Sequence, residues 1–151
     1  MVVILPIEGR FLVEGSAVGV VSASDDPISL WGGLDPATGE IIDRRHPLSG
    51  QIVAGRILSI PFGRGSCSAS GVLLEAIHHG TAPAAIVVSR VDPILGLGAI
   101  LGDELLGKQV PVVLVADEER RRLVTGMVVA IDAGGRITEK QTARSQMVPG
   151  C

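Results

Sequence analysis

The 151-residue chain has no tyrosine, and Trp31, Phe11 and Phe62 are its whole aromatic complement. That removes the stacking platforms on which single-stranded nucleic acid is bound. Thirteen basic residues against sixteen acidic ones leave a formal charge of −3 with no basic stripe, so nucleic acid is not an expected partner. Cysteine is equally scarce. Cys67 and Cys151 stand alone, in no CxxC or zinc spacing, which sets aside a disulfide framework and any metal cluster held by this chain by itself. Long apolar runs are missing too. The opening MVVILPIEGR meets Glu8 and Arg10 too soon to span a membrane, and without a basic flank it makes a poor signal peptide. The expected location is therefore the cytoplasm, with no membrane partner.

What the chain has in quantity is small and aliphatic: twenty glycines, and 46% hydrophobic residues rich in Val, Ile and Ala. A single domain of this size buries about two thirds of its unfolded surface and needs no staple. FLVEGSAVGVVSAS reads as an early strand or bent pair, and QIVAGRILSIP as a second strand ended by Pro61. Between them WGGLDPATGEIIDRRHPLSG is dense in turn residues, a loop long enough to suggest function or an interaction surface. SASGVLLEAIHHG reads as a helix capped by Ser68 and stopped at Gly80, followed by the doubly buried strand AAIVVS. ILGLGAILGDELLGK predicts a glycine-interrupted helix, VPVVLVA a strand, DEERRRLV a short helix and MVVAIDA a last strand. From about Thr138 the chain turns polar and is expected to fray or to dock on a partner. Strand and helix alternate from about residue 52 to 116, which predicts parallel pairing with right-handed crossovers. The expectation is a mixed α/β fold, a β-layer joined to βαβ units.

The densest run of small and hydroxyl-bearing residues is GRGSCSASG, Gly63 to Gly71, between a predicted strand and a predicted helix. It fits none of the standard motifs. A dinucleotide fingerprint would need glycine where Ser68 stands, a phosphate loop needs a lysine the run lacks, and Ser66 and Ser70 have the wrong glycine spacing for a nucleophile elbow. The physical reading is an anion site. Gly63 and Gly65 allow close backbone approach, the following helix aims free amides and its positive end at Ser66, Cys67 and Ser68, and Arg64 adds a fixed cation. The plainer reading is a tight corner in which small residues only permit packing.

Three stretches, GGLDP-x-TG, DRRHPL-x-G and GRGSCSASG-x-LLEA, within a match running from about Asp26 to Val115, resemble the small subunit of the aconitase X family. The resemblance implies an aconitase-like swivelling β/β/α domain, residues 1–137, followed by a tail, 138–151. It further implies a hydro-lyase active only with a large aconitase X-type subunit, which holds an iron or iron–sulfur centre. Ser66 takes the place of the family's catalytic base, abstracting a proton in the dehydration of a small hydroxy acid. Arg64, Gly65, Cys67 and Ser68 surround it as substrate-binding residues. No metal ligand is expected on this chain. The turn resembles the bacterial cis-3-hydroxy-L-proline dehydratase branch more than the mevalonate 5-phosphate dehydratase branch.

Other residues carry plainer expectations. Cys67 is read as a small packing residue, His78 and His79 as structural groups at a helix C-terminus, and Asp35-Pro36 as turn chemistry. Asp43, Arg44, Arg45 and His46 form either a solvated turn or a surface facing substrate or partner. Asp92-Pro93 ends a buried strand near the expected cleft. A non-catalytic regulatory or scaffolding swivel domain, and a free-standing anion-binding protein, are the competing readings.

Overall fold

The computed structural model describes residues 5–65 and 67–140. Its main sheet has eight strands: β1 (Ile7–Glu8), β2 (Arg10–Val13), β3 (Ala17–Ala23), β6 (Ile57–Ser59), β7 (Ala85–Val88), β8 (Val112–Leu114), β9 (Val128–Ile131) and β10 (Arg136–Glu139). Across the sheet their order is β1-β10-β9-β3-β6-β7-β8-β2. The expected parallel block is present: β3, β6, β7 and β8 run parallel, and the remaining pairs are antiparallel.

Strands β1 and β2 end opposite edges of this order although only Gly9 separates them in sequence. The sheet must therefore curl until its edges nearly meet. Gly9 sits at the seam, where its N–H donates to the Gly135 carbonyl at 3.0 Å. A Cβ there would run into Val113 and lie 2.7 Å from the Gly135 oxygen, so only glycine fits.

Strand alternation sends side chains into two cores. Val21, Ile57, Val87, Val113, Val129 and Ile137 fill one side. Leu58, Ile86, Val88 and Val112 point the other way, beneath the helices α2 (Ser68–His79) and α3 (Pro93–Leu106). This is why AIVV of β7 is apolar at every position: both faces are covered. Gly80 ends α2 in the left-handed conformation, φ +76°, as its place after the last periodic residue predicts. α3 is one unbroken helix despite its glycines. Gly98 and Gly102 let it lie close on α2, where a Cβ would come 2.8 Å from the Ser70 carbonyl oxygen and 2.6 Å from Ile77.

Several expectations change. QIVAGRILSIP holds only the three-residue β6, because Gly55 turns the chain at φ +70°. The two halves of FLVEGSAVGVVSAS do not pair with each other: β2 pairs with β8, and β3 with β9 and β6. The turn-dense loop contains a kinked turn, α1 (Leu30–Gly33), and a small hairpin of β4 (Leu34–Asp35) with β5 (Glu40–Ile41). Strand β9 is not the last, since β10 pairs with it through Glu139. The tail from residue 141 lies outside the described residues. DEERRRLV does begin with a short helix, α4 (Asp117–Arg120).

Candidate functional site

Four parallel strands end on one edge of the sheet, and the connections leaving them carry the polar residues. After β3 come Asp25 and Asp26, after β6 Gly63 and Arg64, after β7 Arg90 and Asp92, and after β8 Asp117. The carboxyl edge of a parallel sheet is where α/β folds place ligands. An open cleft of about 280 Å³ lies there, lined by Asp26, Pro27, Asp43, Arg45, His46 and Arg64. The DRRH segment and the glycine-rich turn, distant in sequence, thus share one wall and floor.

The glycine-rich turn is held at fixed points. The Arg64 N–H donates to the Ile28 carbonyl at 3.0 Å. The Gly63 N–H donates to Asp92 Oδ2 at 2.7 Å. The other oxygen of Asp92 accepts from the N–H groups of Ile94 and Leu95, at 3.2 and 3.1 Å, and so caps α3. Asp92 is 7% exposed, a nearly buried carboxylate that ties the turn to a fourteen-residue helix. Pro93 at the first helical position suits that cap. Gly65 has φ +101°, and a Cβ on it would lie 2.6 Å from Ser29 Oγ, so no other residue fits without strain.

At the start of α2 the cap position falls on Cys67, and Ser68 is the first residue of the helix rather than its cap. The Ser70 hydroxyl donates back to the Cys67 carbonyl at 2.9 Å. Cys67 is exposed, against the expectation that it packs. Arg64, Gly65 and Ser68 are exposed as well. Ser66, the residue expected to act as base, lies outside the described residues.

The DRRH segment divides into parts with different work. His46 is 6% exposed. Its Nδ1 accepts from the Leu48 N–H at 3.1 Å, which leaves the ring proton on Nε2, 3.2 Å from the Asp26 carbonyl. His46 is thus a brace between the Asp26 loop and the DRRH turn. Asp43 accepts from the Arg45 N–H at 3.0 Å, fixing the turn from which Arg45 reaches the cleft. Arg44 leans the other way, 3.4 Å from Glu40. His78 and His79 fall in the last turn of α2, as expected, and Asp35 makes the expected turn by accepting from the Ala37 N–H at 2.9 Å.

A second cleft, about 380 Å³, adjoins the first across Pro27 and takes in Phe62, Arg90 and Arg121. The Arg90 guanidinium stands over the Phe62 ring at 4.3 Å. Under this cleft Arg120 is 1% exposed. It donates to the Ser24 carbonyl at 3.0 Å, to Asp25 at 2.9 Å and to Asp117 at 3.0 Å. Asp117 also accepts from the Ser89 hydroxyl at 2.8 Å. That hydrogen bond is the largest influence; burial opposes it, and the Arg120 hydrogen bond and the Arg120 and Arg121 charges reinforce it, so the Asp117 carboxyl lies below the ordinary aspartate value. A carboxyl so lowered stabilises the fold above its unfolded-state value and ceases to as pH falls through its folded-state value. In urea titrations the wild type is expected to lose stability as the pH drops below about 4, and Asp117→Asn to lose less over the same interval. Equal slopes for both proteins would count against the assignment.

Among the described residues, no group of three His, Cys, Asp or Glu side chains could hold a metal ion. No helix among them is long and apolar enough to cross a membrane.

The aconitase X swivel domain family matches residues 6–139. The chain belongs to this family. In the crystal structure of Thermococcus kodakaraensis aconitase X, holo form, one chain superposes on this swivel domain with a TM-score of 0.81 at 36% identity, covering 91% of this chain and 99% of that one. The swivel domain is 44% identical over 127 residues to a cis-3-hydroxy-L-proline dehydratase of Hypocrea jecorina, and 51% identical over 108 residues to one of Pseudomonas aeruginosa. Those stretches are 84% and 72% of this chain but only 21% and 19% of those proteins, so it spans about a fifth of their length. With the phosphomevalonate dehydratase small subunit of Methanopyrus kandleri it shares 42% identity over 125 residues, 83% of this chain and 89% of that one.

Asp26 and Asp92 were the residues sequence reasoning passed over or left without a role. Each meets the glycine-rich turn or its cleft only through the fold. The one signal in the sequence was Asp92-Pro93, the residue pair of a helix start.

Proposed function

We propose that this chain is the small subunit of a dehydratase acting on cis-3-hydroxy-L-proline, with Ser66 as the base. The observation that carries the substrate assignment is the charge pattern of the 280 Å³ cleft: Arg45 and Arg64 share it with Asp26 and Asp43. A hydroxyproline is a zwitterion, with a carboxylate for the arginines and a ring ammonium for the aspartates. Mevalonate 5-phosphate carries negative groups only, and the two aspartates would repel it. The identity to two proteins named for hydroxyproline dehydration supports the same choice.

In this reading Arg64 and the positive dipole end of α2 hold negative charge beside Ser66. Ser66 takes the proton from the carbon bearing the carboxylate, the electron pair forms the ring double bond as the bond to the hydroxyl on the neighbouring carbon breaks, and the proton passed on from Ser66 completes the departing water and restores the alkoxide. Gly65, Cys67 and Ser68 shape the wall around the substrate. An iron or iron–sulfur centre on a separate large subunit would supply Lewis-acid chemistry. This chain's own part is confined to holding the anion and taking the proton.

Mixing the chain with the large aconitase X-type subunit of the same organism tests this. Water loss from cis-3-hydroxy-L-proline is expected with both components present, none from either alone, and none from mevalonate 5-phosphate. Turnover of mevalonate 5-phosphate instead would overturn the substrate. Full activity of the large subunit alone would make this chain a scaffolding or regulatory domain.

A further inference from the structure

We propose that the outward face of α3 is the surface on which the large subunit docks; this rests on the dehydratase reading above. The helix is oriented unusually for a surface element. Its glycines, Gly98 and Gly102, face α2, while Leu97 (50% exposed), Ile100 (47%) and Leu105 (67%) face outward, with Val91 (62%) just ahead of its first turn. On an ideal helix Pro93, Leu97, Ile100 and the exposed Glu104 fall within one narrow sector, and Leu101 and Leu105 continue it along one side. The apolar part of this face, Val91, Pro93, Leu97 and Ile100 ahead of Glu104, with Leu105 beside it, is large enough on an exposed helix to mark an interaction surface.

Two observations say what covers it. First, the face begins at the site. Asp92 caps α3 and at the same time holds Gly63, three residues ahead of Ser66. A polypeptide that presents a substrate to that turn therefore meets Val91, Pro93 and Leu97 next. Second, in the Hypocrea jecorina and Pseudomonas aeruginosa dehydratases the region matching this chain is about a fifth of the protein. The other four fifths belong to the same molecule and supply an extensive partner surface. A chain with the layout of a separate small subunit keeps the apolar face exposed until that partner arrives. A face for a second copy of this chain would have no reason to start at the catalytic turn.

The affinity of the chain for the large subunit decides the matter. Leu97→Gln/Ile100→Gln keeps good helix formers at exposed positions, and Val18→Thr serves as the control, being 55% exposed on β3. The double variant is expected to raise the Kd for the large subunit at least tenfold, with kcat at saturating large subunit within twofold of wild type and Val18→Thr unchanged. A double variant that binds as wild type overturns the docking face alone. So does a chain whose self-association, and not its affinity for the large subunit, is lost with those two residues. A wild-type chain that fails to bind the large subunit at all defeats the functional reading together with this one.

Discussion

Ser66→Ala is expected to bind the large subunit as tightly as the wild type and to lose turnover of cis-3-hydroxy-L-proline by about 10³-fold, the range a positioned base contributes. The reason lies in what surrounds the position. A serine hydroxyl in water is far too weak an acid to become a base near neutral pH, so its alkoxide needs local positive potential. Two sources flank Ser66 in the sequence. α2 is a twelve-residue helix starting at Ser68, and the positive end of its dipole amounts to about half a charge. Arg64 lies two residues before Ser66, its backbone anchored to Ile28 and its side chain at the cleft. Alanine removes the one oxygen that these groups would stabilise while keeping the backbone that forms the turn. A measurement on the proton itself separates a base from a structural residue. With substrate deuterated at the carbon bearing the carboxylate, the wild type should exchange or eliminate the label and Ser66→Ala should leave it in place. Label loss at the wild-type rate would return Ser66 to the role of a corner residue.

How much of this was legible beforehand differs between elements for physical reasons. β7, α2 and α3 were readable because their burial follows their own local period: four apolar residues covered on both faces, a helix stopped at Gly80, and an apolar run from Ile94 whose true start at Pro93 was taken only for the end of a strand. β10 was missed because RITE buries a single residue, Ile137, too little pattern to stand out. The separation of β1 from β2 was invisible for another reason. Gly9 announces a special backbone position, but not that its two neighbouring strands close a curled sheet from opposite edges. In the site, Arg64 and the glycines around it could be picked out because small residues and a cation cluster in sequence. Arg120 could not be told from Arg121 and Arg122 in a run of three, although only Arg120 is buried. The partners of the glycine-rich turn were hidden by distance along the chain: Gly63 is 29 residues from Asp92. Cys67 was expected to pack because the chain offers no partners for it as a metal ligand, but its place at the cap of α2 leaves it exposed.

The second large effect is expected at Asp92, and two substitutions there divide its work. Asp92→Ala removes the α3 cap and the acceptor for Gly63 together, and should cost about 3 kcal/mol in denaturant titrations, a lost N-cap plus a lost charge-assisted hydrogen bond. Asp92→Asn is the more informative change. Its carbonyl oxygen can stay in the place of Oδ1, accepting from Ile94 and Leu95, so the helix remains capped. Its amide nitrogen then replaces Oδ2 and meets the Gly63 N–H, donor against donor, where a 2.7 Å hydrogen bond had been. Asparagine should therefore recover a good part of the stability lost in alanine, yet release the turn that carries Arg64 and Ser66. With the large subunit saturating, kcat is expected to fall at least tenfold in Asp92→Asn. KM should change less, because the Arg45 side of the cleft is held separately by Asp43 and His46. If kcat instead tracks stability alone across the two variants, Asp92 is a helix cap and the geometry of the turn is maintained by Ile28 and Ser29. A kcat that drops in asparagine while the fold persists would make this carboxylate the link through which the start of α3 positions the turn.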